Sequence, residues 1–183
     1  MSPKISVVLP VHNRSDVLAR SVQSVLDQRL GDFELVIVDD GSTDDSLIVA
    51  KGFQDNRITI VELGENRGGN VARNTGVRKA SAPLIAFLDS DDAYFPEKLE
   101  RVVAEFDRKP DMELLVDSFI KVQPSGARVV RKNPVIDNRE IFRRALFTRQ
   151  LWKATPAITG RRDAILSVMF DETLRRLQDF DFL

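Results

Sequence analysis

From Ile5 to Val11 every residue but Ser6 is apolar, and the run ends in the polar turn His12-Asn13-Arg14-Ser15. A short apolar run bounded by turn residues predicts a buried strand. Beyond the turn, Val17, Leu18, Val22, Val25 and Leu26 recur at three- and four-residue intervals, which predicts a helix with one apolar face. A second apolar run over 33–38 leads through Asp39-Asp40-Gly41-Ser42-Thr43 into a helix over 44–52. Ser42 or Thr43 is expected to cap that helix, with Asp44 and Asp45 favouring its positive end. A third strand is expected over 57–62, then a Gly/Asn-rich turn and a helix over 69–80. Pro83 starts a fourth strand that ends at Asp89, and Pro96 opens a helix running to 108.

Strands alternating with helices at this spacing imply an α/β protein with three α/β/α layers and a mostly parallel central sheet. Beyond Pro110 the alternation loosens. Segments 113–122 and 127–132 read as a hairpin across Pro124-Ser125-Gly126, followed by a helix over 137–147, and 152–159 is expected to return to the sheet. No internal repeat, low-complexity tract or linker interrupts the chain, so residues 1–183 read as one domain.

Charge and composition narrow the classes. Lysine plus arginine number 27 against 28 acids, with no long run of either sign, which gives no support to a nucleic-acid or anionic-membrane partner. The absence of cysteine excludes disulfides, thiolate zinc sites and cysteine nucleophiles, and the single histidine, His12, cannot build a histidine-rich metal site. The first strand begins too early for a signal segment, and no apolar run approaches the roughly 20 residues of a membrane helix. A cytoplasmic protein is expected, with any membrane contact carried by parts of a longer chain.

The chemistry concentrates where the strands end. In an open α/β sheet the carboxyl ends of the strands face the ligand crevice, and two acid clusters sit there: Asp39-Asp40 and Asp89-Ser90-Asp91-Asp92. Carboxylates crowded as in the second cluster repel, and a divalent cation with a preference for oxygen ligands relieves this. The alternative is a solvated acidic turn before the next helix. At the first cluster, a carboxylate can accept hydrogen bonds from a base or ribose, or merely form a strand-to-helix turn whose sharpness Gly41 permits.

Asn66-Arg67-Gly68-Gly69-Asn70-Val71-Ala72-Arg73 lets backbone approach a ligand at Gly68 and Gly69 and sets Arg73 one helical turn later, where a guanidinium can bind phosphate oxygens. It is neither a dinucleotide fingerprint nor a Walker loop. The bland reading is a helix start with small residues for close packing, and Gly76 reads as a packing residue in either case. His12 reads as a turn residue. Phe170-Asp171-Glu172 and Gln178-Asp179 read, by spacing alone, as surface acids around a helix start.

Taken in order, the segment from Ile5 to Arg14, Val38-Asp-Asp-Gly-Ser-Thr-Asp44, Asn66-Arg-Gly-Gly, Ala72-Arg-Asn-Thr-Gly76 and Phe87-Leu-Asp-Ser-Asp-Asp92 resemble the family 2 glycosyltransferases, inverting enzymes of the GT-A (Rossmann-like) fold. The strong match covers residues 4 to about 100, and a weaker one continues through Thr159-Gly160-Arg161-Arg162 to Asp179. The resemblance implies a donor-binding half over 1–110 and an acceptor-side half over 111–183. Pro10, Val11 and Asn13 would line the nucleotide pocket and Asp39 would bond the base. Asp40, Gly69 and Ser90 would complete the donor site, and Arg73 would lie along the diphosphate. Asp89 and Asp91 resemble the D-x-D motif, with Asp91 the direct ligand of Mg2+ or Mn2+, and Asp179 matches the family's general base.

Two departures stand out. Gln178 occupies the place of the usual glutamate before Asp179, and the chain stops four residues after Asp179, so a C-terminally truncated catalytic domain is expected. The implied reaction moves a sugar from a nucleotide-diphosphate donor, a UDP-sugar by family lean, to a saccharide, lipid-linked or other hydroxyl acceptor, as in polysaccharide biosynthesis. A non-catalytic nucleotide-sugar binding module of the same fold is the alternative. A sugar nucleotidyltransferase fits less well, because Pro10-Val-His-Asn-Arg14 stands where its glycine-rich loop would be.

Overall fold

The computed structural model describes residues 2–136, 138–148, 150–152 and 154–174. Strand β1 (Ile5–Val11) is followed by helix α1 (Leu18–Leu26), β2 (Phe33–Asp39), α2 (Ser46–Lys51), β3 (Ile58–Glu62), α3 (Gly69–Lys79), β4 (Leu84–Phe87) and α4 (Lys98–Arg108). Then come β5 (Leu114–Val116), the hairpin β6 (Phe119–Val122) and β7 (Arg128–Arg131), and α5 (Arg139–Phe147). A 3-10 turn (Thr155–Ala157) leads into β8 (Ile158–Arg161) and α6 (Arg162–Val168).

The main sheet has the order β3-β2-β1-β4-β8-β5. Strands β1 to β4 are parallel neighbours, while β8 runs antiparallel between β4 and β5. Alternation along the strands sorts the core into two faces, as period-2 geometry requires. Ile5, Val7, Leu9 and Val11 of β1 join Leu35 and Ile37 of β2 beneath α1 and α4. On the opposite face, Val8 packs with Val77, Ile85, Phe87 and Ile165, and Val36 and Val38 pack with Ala72 of α3. The expected three-layer architecture with a mostly parallel sheet is what forms.

The second half departs from the sequence reading. Segment 113–122 is not one strand: β5 joins the main sheet beside β8, while β6 pairs only with β7. The split falls at Asp117-Ser118, where the Asp117 amide donates to the Ala157 carbonyl at 2.8 Å and the Ser118 hydroxyl accepts from the Asn133 amide at 2.9 Å. Of the expected strand over 152–159, pairing begins only at Ile158, and α6 was not anticipated. Nor do Ser42 and Thr43 cap α2, which starts after Asp45 with no side-chain cap. The Asp44 carboxylate accepts from the Ser46 amide and hydroxyl instead, and the bonds it receives from Ser46 and Ser15 hold its pKa far below the usual range against a modest opposing effect of burial.

Candidate active site

The crevice opens where the strand order changes direction, between β1 and β4. Their ladder stops early. The Val8 carbonyl accepts from the Leu88 amide on the β4 side at 3.0 Å, whereas the Val11 carbonyl accepts from the Asp40 amide on the β2 side at 2.8 Å. By the two-residue alternation of a strand, Pro10 faces β4, and lacking an N–H it ends that ladder. Beyond this point lies an open cavity of about 280 Å³. Pro10, Val11, His12 and Arg14 line it from β1, Asp40 from β2, Asn66, Gly68, Gly69 and Arg73 from the start of α3, and Asp89, Ser90 and Asp91 from the end of β4.

Within it, Arg73 and Asp89 pair at 2.7 Å. Arg73 is 8% exposed, and its guanidinium also lies 5.7 Å from the centre of the Phe170 ring. Gly69 leaves the room this needs: a Cβ there would stand 3.1 Å from Arg73 Nη1. The Asp40 carboxylate accepts from the Arg67 amide at 2.7 Å and the Gly68 amide at 2.9 Å, so it pins the glycine turn. Gly41 adopts φ 65°, and a Cβ there would meet the Glu65 backbone at 2.3 Å, which is how closely the two turns approach.

Neither Asn13, which is exposed, nor Asp39 lines the cavity itself. Asn13, at φ 51°, receives the Thr43 amide at 2.8 Å and the Asp44 amide at 3.3 Å on Oδ1, stitching the β1 turn to the β2 turn. Asp39 is buried. One of its oxygens accepts from the Ser42 amide at 3.2 Å, and the other has no hydrogen-bond partner among the described residues. A buried carboxylate oxygen left in that condition is costly unless a ligand completes it.

The acidic loop is held by polar residues of α1 and of the turn that follows it. The Ser21 hydroxyl reaches the Ser90 carbonyl at 2.8 Å and the Asp92 carbonyl at 2.6 Å, and Arg20 donates to the Asp91 carbonyl. The Ser24 hydroxyl accepts from the Tyr94 amide at 3.1 Å. Gln28 donates to the Phe95 carbonyl at 2.7 Å and accepts from the Leu99 amide at 2.9 Å. With the loop backbone held in this way, Asp89 and Asp91 line the crevice. Loss of hydration, together with the charges of Asp89 and Asp91, pushes the Asp92 carboxyl up to about 6. Among the described residues, no group of three or more His, Cys, Asp or Glu converges into a metal cage.

Sequence reasoning missed three contributors. Ser21, Ser24 and Gln28 were legible as polar interruptions at helical spacing on an otherwise apolar face. His12 does more than turn the chain: its Nδ1–H donates to the Asp40 carbonyl at 2.8 Å and Nε2 accepts from Asn66 Nδ2 at 2.8 Å, joining all three turns. Asp171 and Glu172 are exposed, as expected, but they follow α6 rather than open a helix, and their segment is tied to α3. Asn74 receives the Phe170 amide at 2.9 Å and donates to the Phe170 carbonyl at 2.8 Å and to Glu172 at 2.9 Å, and Asn70 donates to the Asp171 carbonyl at 2.7 Å. Gln178 and Asp179 lie outside the described residues.

A mostly parallel sheet carrying acids at two strand ends, with a glycine turn and an arginine between them, forms an α/β domain with a polar crevice at its switch point. Its likeness to solved GT-A glycosyltransferases fixes the fold: TarS of S. aureus in complex with UDP aligns with TM-score 0.80 and 23% identity, over 98% of this chain and 53% of that one. The mannosyltransferase PcManGT of Pyrobaculum calidifontis, in complex with GDP-Man and Mn2+, aligns with TM-score 0.71 and 18% identity, over 99% and 50%. The glycosyl transferase family 2 profile matches residues 6–169, and the chain belongs to that family.

Relatives include an uncharacterized glycosyltransferase of Rickettsia conorii, 32% identical over 96% of this chain and 29% of its own length. The succinoglycan biosynthesis protein ExoU of Rhizobium meliloti is 32% identical over 97% and 55%. The chain spans between 25% and 60% of the length of the curated relatives it matches. No described helix is long and apolar enough to cross a membrane.

Proposed function

We propose that the crevice binds a nucleotide-diphosphate sugar, a UDP-sugar by resemblance, and that the protein transfers the sugar to an acceptor hydroxyl with inversion. The observation that carries this reading is the Arg73–Asp89 pair facing the turn at Gly68 and Gly69. A cation and the amide-rich start of a helix suit a diphosphate, and a carboxylate beside them suits the cation that accompanies one. The buried, incompletely bonded oxygen of Asp39 supports a role in holding the base. Pro10, Val11 and Asn13 then shape the nucleotide pocket, Asp40 fixes the turn, and Ser90 contributes to the donor end.

Asp91 and Asp89 would hold Mg2+ or Mn2+. Two hard oxygen donors suit an ion that prefers oxygen ligands and would take its other ligands from phosphate and water. Bound there, the ion would offset charge on the leaving diphosphate. For the protein's own part, Arg73 stabilises that same charge, and Asp179 takes the proton from the acceptor hydroxyl as its oxygen attacks the anomeric carbon and the bond to the diphosphate breaks. Cytoplasmic location and a role in polysaccharide biosynthesis complete the reading.

Calorimetry with UDP, with and without Mn2+, tests it. Asp91→Asn should remove the Mn2+-dependent part of UDP binding, and Asp179→Asn should leave UDP binding intact while abolishing transfer by the longer protein. Metal-independent binding of full strength, or transfer by the Asp179 variant, would refute the respective role. Gln178 favours a second reading, a binding module without turnover, which donor hydrolysis by the longer protein would exclude.

A further inference from the structure

Beyond the donor crevice, the same rim of the sheet carries a feature the donor reading leaves unused. Trp152, the only tryptophan in the chain, is 47% exposed. Indoles are usually well covered because they carry so much apolar surface. This one is nevertheless held firmly. Asn133 accepts from the Trp152 amide at 2.7 Å and donates to the Trp152 carbonyl at 3.0 Å and the Asp117 carbonyl at 2.7 Å. Asn133 is itself only 8% exposed, so a buried amide is committed to fixing the backbone that carries the exposed ring. The Arg131 guanidinium lies over the ring, 4.0 Å from its centre, which places N–H donors beside the indole.

Register locates this mount. β8 runs antiparallel to β4, with Thr159 opposite Ala86 and Arg161 opposite Leu84. The segment entering β8 therefore arrives at the end where β4 leaves for Asp89. Asp117 directly follows β5, whose Val116 lies opposite Ile158. Trp152 thus belongs to the rim that bears Asp89 and Asp91, displaced toward β5, which lies two strands or roughly 10 Å from β4.

We propose that Trp152 and Arg131 form a saccharide subsite on the acceptor side: the indole packs against the apolar C–H face of a pyranose ring, and the guanidinium donates to its hydroxyls. Binding sites for small molecules combine such an aromatic wall with a few fixed polar groups. The acceptor role rests on the glycosyl-transfer reading, whereas the binding itself can be measured without transfer.

Because Trp152 is the sole tryptophan, its emission reports on the subsite directly. Cellobiose and chitobiose, titrated into the 183-residue protein with UDP present, should produce a saturable change in tryptophan fluorescence. Arg131→Ala should weaken that response about tenfold. By saturation-transfer NMR, Trp152→Phe should keep disaccharide binding within about threefold and Trp152→Ala should lose at least about tenfold, while UDP affinity by calorimetry stays unchanged in all three variants. The proposal is overturned if neither disaccharide changes the emission while UDP still binds, if Trp152→Ala binds them as the parent does, or if only sodium octanoate perturbs the ring, which would mark an apolar-chain site. Disaccharide binding without UDP binding would leave the subsite standing and remove the donor reading instead.

Discussion

Arg73 Nη2 lies 2.7 Å from Asp89 Oδ1, so the first turns of α3 and the end of β4 share one charge pair inside the crevice. The arginine is nearly covered and the aspartate about a third open, which leaves the carboxylate side of the pair accessible from the cavity.

Arg73→Ala should lower UDP affinity about tenfold to a hundredfold by calorimetry, since a charge-assisted contact to phosphate contributes about 1.5–3 kcal/mol. Arg73→Lys should recover little of it, because an ammonium cannot present the paired donors of a guanidinium. Unchanged affinity in the alanine variant would remove Arg73 from the donor site.

Two glycines on α3 should respond differently to a methyl group. At Gly76 a Cβ would stand 2.4 Å from Val8 Cγ1, a stiff side chain in the core, so Gly76→Ala should cost about 1–3 kcal/mol in urea denaturation. At Gly69 it would press on the Arg73 guanidinium tip, which can shift. Gly69→Ala should therefore leave the urea midpoint nearly unchanged while weakening UDP binding; the reverse pattern would contradict both assignments.

Asn74→Ala removes the two bonds to the Phe170 backbone and the bond to Glu172. Amide exchange at Phe170 and its neighbours should accelerate strongly while β1 and β2 keep their protection, because the loss is local to the clasp. Uniform acceleration across the sheet would instead mean that the clasp supports the whole fold.

Glu34 should make stability acid-sensitive. Burial by itself would raise its pKa, but bonds from the Ser6 hydroxyl at 2.5 Å, the Ser81 amide at 2.6 Å and the Ala82 amide at 3.2 Å outweigh it and leave the value lowered. A folded-state pKa below the unfolded one gives stability that is full above the ordinary glutamate value and lost as pH falls through the folded value. Glu34→Gln should be less stable than the parent at neutral pH, with the gap narrowing below about pH 4 in urea melts. A gap that persists in acid would mean that shape rather than charge is at work.

The first 110 residues were readable because their signals are local. Apolar runs such as Ile5–Val11 must be buried on both faces, the turns after them carry their own polar chemistry, and α1 to α4 follow by periodicity. Asp40, Asp89 and Asp91, with the glycine turn and Arg73, line the crevice and could be picked out from those strand ends and the turn, whereas Asp39 and Asp92 do not line it. Past Pro110 the strands are three or four residues long, β5 to β7 are partly or largely exposed, and the pairing of β5 and β8 depends on partners far along the chain. Nothing local in Leu114-Leu-Val116 says that it will lie beside Ile158, or that Phe119 will start a separate hairpin.

What the sequence determined by itself was therefore the alternating α/β order and the residue types gathered at the strand ends, which follow from nearest-neighbour spacing, while the ordered set of motifs carried the resemblance to the family. Only the tertiary structure decided that Arg73 meets Asp89, that Asp40 binds the turn at Gly68 rather than facing the crevice freely, and that Asn74 holds Phe170. It also decided that Asn133 holds Trp152 up at the rim. These are contacts between side chains and distant backbone, and packing alone sets which donor finds which acceptor.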